Sequence, residues 1–132
     1  IIRSSVFPGT IEKIKKILAS KNKKIAYCPE RILQGSALVE LPKLTQIVSG
    51  INEKSIKQAK VFFEKNITKK IIVTGTFEAE LIKLFSNALR YINFAISNEF
   101  YTICKTFGVS YEKIRKDMMT GYERNNKCMG LA

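Results

Sequence analysis

The chain has 132 residues, a formal net charge of +12, no histidine and three cysteines far apart in sequence. That length supports one modest domain with a core of its own. No run of about 18 apolar residues offers a membrane span, the opening Ile1-Ile2-Arg3 lacks the parts of a signal peptide, and the lack of histidine and of any CxxC pair argues against a zinc site and a His-based triad.

Residues 1–6 read as a short apolar strand, broken by "FPGT". Thr10 is placed to cap a helix whose apolar positions Ile11, Ile14, Ile17 and Leu18 recur at helical spacing. Six lysines lie between Lys13 and Lys24. A polyanion-binding patch and the solvated face of an amphipathic helix both fit them. The scarcity of nearby aromatic residues to stack bases favours the solvated face, and no nucleic-acid partner is expected.

Ile25 to Cys28 reads as a strand, "PERILQG" as a loop or short turn, and "LPKL" as the approach to a second strand, Gln46 to Ser49, closed by Gly50. Asn52 suits the cap of a helix reaching about Lys65, with Ile56, Ala59, Phe62 and Phe63 facing inward. "IIVT", Ile71 to Thr74, is a further strand. Short strands alternating with helices predict an α/β unit with a mainly parallel sheet.

The pattern changes at Gly75-Thr76. From Phe77 to Phe107 neither Gly nor Pro occurs, and Gly108 supplies a stop. Leu81, Leu84, Phe85, Ala88, Ile92, Ala95, Ile96, Phe100, Ile103 and Cys104 form a broad apolar face. One small α/β layer cannot cover a helix roughly 45 Å long, so a second subunit or domain is expected on it. Ser110 can cap a last helix to about Met119, ahead of a loop-like tail. The domain boundary is set at residue 76. Cys28 at a strand end and Cys104 on the apolar helix face read as small core residues, and free thiols point to a reducing cytoplasm.

Some polar residues sit where this scheme does not ask for them. Lys83 and Asn87 share a face of the long helix at i and i+4. By spacing alone they are a surface pair. Glu30 follows a strand end, where parallel α/β sheets place ligand-contacting loops. Ser4 and Ser5 follow another, ahead of a Gly-Thr helix start that suits a phosphate or ribose. A carboxylate, an ammonium and an amide converging on one crevice would suit general-base and oxyanion work.

At these residues the chain resembles the nucleotide-sugar 6-dehydrogenases, the UDP-glucose, UDP-N-acetylmannosamine and GDP-mannose dehydrogenase family. The stretches that carry the resemblance are "RSSVFPGT", "AYCPERILQGSALVELPKLTQIVSGI", "EAELIKLFSNALRYINFAISNEFYTICKTFGVSYEKIR" and "GYERN", in the family's order over nearly the whole chain. The resemblance implies that residues 1–76 are the C-terminal part of a Rossmann-type NAD-binding domain. It makes residues 77–132 the start of a central all-α dimerisation domain, which forms a homodimer through its long helix. The family oxidises the C6 alcohol of a UDP-sugar to a carboxylate, a polysaccharide precursor. It uses NAD twice and passes through a thioester on a cysteine.

Carried over on matching positions, Ser5 stands where the family has a Thr beside the reacting centre and the cofactor. Glu30 matches the Glu that handles the proton of a water, Lys83 the oxyanion-stabilising lysine, and Asn87 the Asn that assists it. Arg31, Ile32 and Leu33 lie on the stretch lining the sugar site, and Arg124 falls near an Arg that reaches the substrate. Gln34 lies on the cofactor side of this loop. It resembles the N-acetylhexosamine branch, since the glucose branch more often has Glu there. The family's GxGxxG turn would precede Ile1, and its nucleophilic cysteine belongs to a Gly-rich segment after "YERN", a context Cys128 lacks. The chain is therefore expected to be a fragment that does not complete the oxidation alone. A helical dimerisation module without catalysis is the competing reading.

Overall fold

A computed structural model of the chain describes residues 1–18, 23–32, 35, 37–67 and 70–122. Its elements in order are helix α1 (Thr10–Leu18), strand β1 (Ala26–Tyr27), the one-turn helix α2 (Ala37–Glu40), strand β2 (Gln46–Gly50), helix α3 (Glu53–Asn66), strand β3 (Ile71–Val73), the 31-residue helix α4 (Thr76–Thr106) and helix α5 (Tyr111–Met119). The α/β unit followed by one long helix is the predicted class. The chain divides into two compact units, Ile1–Phe85 and Ser86–Ala132.

In the first unit the sheet order is β1-β2-β3. β2 and β3 are parallel, with Gln46 opposite Ile71 and Val48 opposite Val73, and α3 supplies the crossover such a pair requires. β1 runs antiparallel to β2, with Ala26 opposite Gly50, so the sheet, expected mainly parallel, carries one antiparallel pairing. The reason lies in the connection. Between β1 and β2 only the single turn of α2 is helical among the described residues, and no crossover helix returns the chain for a parallel pairing. The expected strand at residues 1–6 shrinks to one parallel bridge, Ile2 to Tyr27.

Alternation along the strands divides the core between the two faces of the sheet. Ala26, Cys28 and Val48 pack with Ala59 and Phe63 of α3. Tyr27 and Ile47 pack with Ile11 of α1 and Ala79 of α4. Cys28 and Cys104 are both buried, as expected of core thiols. Phe62 and Ile17 do not face inward and are exposed. Neighbours on a helix point about 100° apart, so Phe62 and Phe63 cannot both meet the sheet, and Phe62 lies edge-on to Phe63 instead.

Asn52 caps α3 as its position predicts, accepting from Ser55 N–H at 2.8 Å. Gly50 is required by proximity: a Cβ there would lie 2.9 Å from Ser55 Cβ and 3.1 Å from the Ile56 amide nitrogen. Gly9 is required by conformation, with φ +83° and open space where a Cβ would point. Gly9→Ala is therefore expected to cost about 1 kcal/mol through the backbone alone, read as a lower denaturation midpoint. In the second unit Ser110 caps α5, accepting from Lys113 N–H at 3.3 Å. Ser97, Cys104 and Tyr111 are buried there.

Candidate functional site

The parallel pairing that begins at Ile2 brings two chain segments out of the sheet side by side. Ile2 N–H donates to Ala26 O at 2.8 Å, Cys28 N–H to Ile2 O at 2.9 Å, and Glu30 N–H to Arg3 O at 3.1 Å. Arg3 and Glu30 therefore emerge together. Because β2 is antiparallel to β1, its first residue, Gln46, sits at the same end of the sheet.

The Glu30 carboxylate is held from three directions. Oε1 accepts from Arg31 N–H at 2.8 Å and Ile32 N–H at 3.0 Å. Oε2 pairs with the Arg3 guanidinium, with both side chains about one-third exposed. Arg3 lies 3.4 Å from Gln46 Oε1 and 5.1 Å above the centre of the Phe63 ring. Lys83, from α4, donates its Nζ–H to the Glu30 carbonyl across 53 residues of sequence. Two cations and a carboxylate thus share one loop, and the loop's backbone turns around the carboxylate's own oxygen.

Ser5 is exposed on the segment leaving Ile2. Arg31 turns its guanidinium back to Thr45 O, and Ile32 is half-buried. A pocket of about 10 Å³ beside the loop, lined by Pro29, Glu30, Arg31, Ile32, Leu44 and Gln46, has room for a single water. A sugar ring does not fit in it. Asn87 is half-buried one turn beyond Lys83 on α4 and belongs to the second unit. Leu33, Gln34, Arg124 and Cys128 lie outside the described residues. Burial pushes the Cys28 thiol above its ordinary range, outweighing the Ser49 backbone bond and the Arg3 charge. It remains a protonated core group. Among the described residues no group of three or more His, Cys, Asp or Glu is placed to hold a metal.

Residues 1–72 match the model of the NAD binding domain of the UDP-glucose/GDP-mannose dehydrogenase family, and residues 77–129 match the model of that family's central domain. The chain belongs to this dehydrogenase family. It is 44% identical over 112 residues to a UDP-N-acetyl-D-mannosamine dehydrogenase of Methanocaldococcus jannaschii, covering 83% of this chain and 26% of that protein. The chain spans about a quarter of the length of the curated relatives it matches. The solved UDP-D-ManNAc dehydrogenase of Pyrococcus horikoshii superposes with a TM-score of 0.85 at 27% identity, covering 98% of this chain and 32% of that one. The native UDP-N-acetyl-mannosamine dehydrogenase of Staphylococcus aureus gives a TM-score of 0.78 at 25% identity over 98% of this chain and 33% of its own.

Two features of this member of the family were not legible in its sequence. Arg3, the Glu30 partner, stands between two isoleucines and two serines, with no spacing to single it out. Glu80, on α4, accepts from Gly9 N–H at 2.6 Å and Ile11 N–H at 2.8 Å, and so closes the start of α1. Thr10 does not cap that helix. Its hydroxyl donates to Phe7 O at 2.6 Å, and its own N–H goes to the same carbonyl. With the amides of Gly9, Thr10 and Ile11 all occupied, this helix start cannot take a phosphate, which corrects one expectation for the "SSVFPGT" segment. The Ser4 and Ser5 side chains on the same segment are exposed. No helix among the described residues is long and apolar enough to cross a membrane.

Proposed function

We propose that these residues belong to an NAD-dependent UDP-sugar 6-dehydrogenase that oxidises the C6 alcohol of a UDP-N-acetylhexosamine to the uronate, with UDP-N-acetylmannosamine as the substrate. The observation that carries this reading is the approach of Lys83 to the Glu30 loop in a chain of this family. An ammonium beside that loop would stabilise negative charge developing on the C6 oxygen. Glu30 would manage the proton of a water, and Asn87 would assist from the next turn of α4. Ser5 would orient the reacting end of the cofactor, with Gln34 beside it. Arg31, Ile32, Leu33 and Arg124 would contact the sugar nucleotide. When bound, NAD supplies the hydride acceptor. The rest of the sugar site would come from surface beyond the narrow pocket at Pro29 and Gln46.

The domain boundary proposed is residue 76, and the protein is placed in the cytoplasm. A homodimer is proposed through α4, where Leu89, Ile92, Ile96, Phe100 and Ile103 are exposed along one stripe. Light scattering of full-length protein is expected to give a dimer, and Ile96→Glu a monomer. A dimeric Ile96→Glu variant would remove α4 from the interface. The activity is tested by NADH formation from UDP-N-acetylmannosamine and NAD in the full-length protein. No NADH from that sugar nucleotide, UDP-glucose or GDP-mannose would overturn the assignment.

A further inference from the structure

Glu80 is 1% exposed, and a buried carboxylate is costly unless its oxygens are met. Both are met by amides 71 and 69 residues away, those of Gly9 and Ile11. They lie where a helix has unpartnered N–H groups and the positive end of its dipole. α1 is thus capped from α4 rather than by its own Thr10. The same turn of α4 buries Ala79 against Ile11, Tyr27 and Ile47. One turn later comes Lys83, on the Glu30 carbonyl. The segment between Ile2 and α1 is fixed at its other end too, where the buried Tyr27 hydroxyl donates to Ser4 O at 3.2 Å. Burial, and next the Glu80 charge, push the Tyr27 pKa up and keep that hydroxyl a donor. Ser5 lies exposed between the two anchors.

We infer that Glu80 is a positioning residue: it locks the first turns of α4 to the Ser4–Gly9 segment, so that Lys83 and Ser5 keep fixed places about one reacting atom. This rests on the dehydrogenase reading of Lys83 and Ser5. A residue that merely stabilised α1 would change the folded fraction and nothing else. A positioning residue changes turnover in protein that is fully folded.

The test uses Glu80→Gln and Glu80→Asp in the full-length protein. Gln keeps the length but turns one acceptor into a donor facing a backbone N–H; Asp keeps both acceptors and retracts by one methylene. Glu80→Gln is expected to lower kcat about tenfold to a hundredfold, with KM for the UDP-sugar and for NAD little changed and circular dichroism as in the wild type. Asp should restore part of the loss. Acylation of the Lys83 amine, read by mass spectrometry, should run several-fold faster in Glu80→Gln. Wild-type kcat and wild-type Lys83 acylation in a folded Gln variant would overturn the inference. So would a fall in kcat that only tracks the folded fraction. If Gln does not fold, the same readouts on Asp decide. If the wild type forms no NADH at all, the dehydrogenase reading fails, and Lys83 acylation still decides: faster supports positioning by Glu80, unchanged overturns it.

Discussion

On the proposed dehydrogenase reading, Lys83→Met in the full-length protein is expected to lower kcat about 10²- to 10³-fold, the usual loss when one preorganised donor to an oxyanion is removed. Met matches the length of the lysine stem and keeps its apolar packing on the half-buried face of α4. The substitution removes the ammonium and its bond to Glu30 O while leaving the stem's packing in place. KM for the UDP-sugar should move much less than kcat, because charge on the C6 oxygen develops only on the way to the transition state. Lys83→Arg should not rescue. A planar guanidinium cannot reproduce a compact ammonium that must serve both a backbone carbonyl and the reacting oxygen. Steady-state NADH formation checks both variants, and a Lys83→Met enzyme within about tenfold of wild-type kcat would remove Lys83 from the mechanism.

The parts of this architecture that repeat were the parts that could be read from the sequence. Asn52 and Ser110 cap the helices that follow them because an N-cap depends on only four consecutive residues. The uninterrupted run after Gly75 fixed α4 to within a residue at each end. The errors fall where distant residues decide. Thr10 has the right side chain for a cap, yet a carboxylate 70 residues later in sequence does the work better, because it is charged and buried. Phe62 and Phe63 are adjacent and chemically identical, and only the sheet's position chooses between them. The antiparallel pairing of β1 with β2 depends on what fills the connection. "PERILQG" and "LPKL" suggest a loop in any topology.

Glu30 itself was legible only through its family resemblance. A Glu after a Pro at a strand end is weak evidence alone, and its placement beside Lys83 depends on a helix 53 residues further on. Arg3 had no local signal, and only the parallel pairing at Ile2 brings it alongside Glu30. The proposed roles of Leu33, Gln34 and Arg124 concern residues outside those described, so they rest on sequence alone.

Phe63→Ala is expected to destabilise the first unit by about 3–5 kcal/mol, the usual range for emptying a fully buried aromatic site. The ring is fully buried and packs with Ala26, Cys28, Val48 and Ala59. Such a loss is a large share of a typical domain's whole stability of about 5–15 kcal/mol, so it should appear as a marked fall in the midpoint of urea unfolding. The same ring also supports Arg3, whose guanidinium lies 5.1 Å above its centre, and Arg3 pairs with Glu30. Phe63→Leu separates these two roles. Leu refills much of the apolar space, so its cost should be less than half that of Ala, but it offers no aromatic face to the guanidinium. A face of that kind contributes about 0.5–2 kcal/mol. If the ring orders Arg3, the folded Leu variant should lose turnover out of proportion to its stability. If it turns over like the wild type, the ring serves packing alone, and Arg3 is held by Glu30 and Gln46 without it.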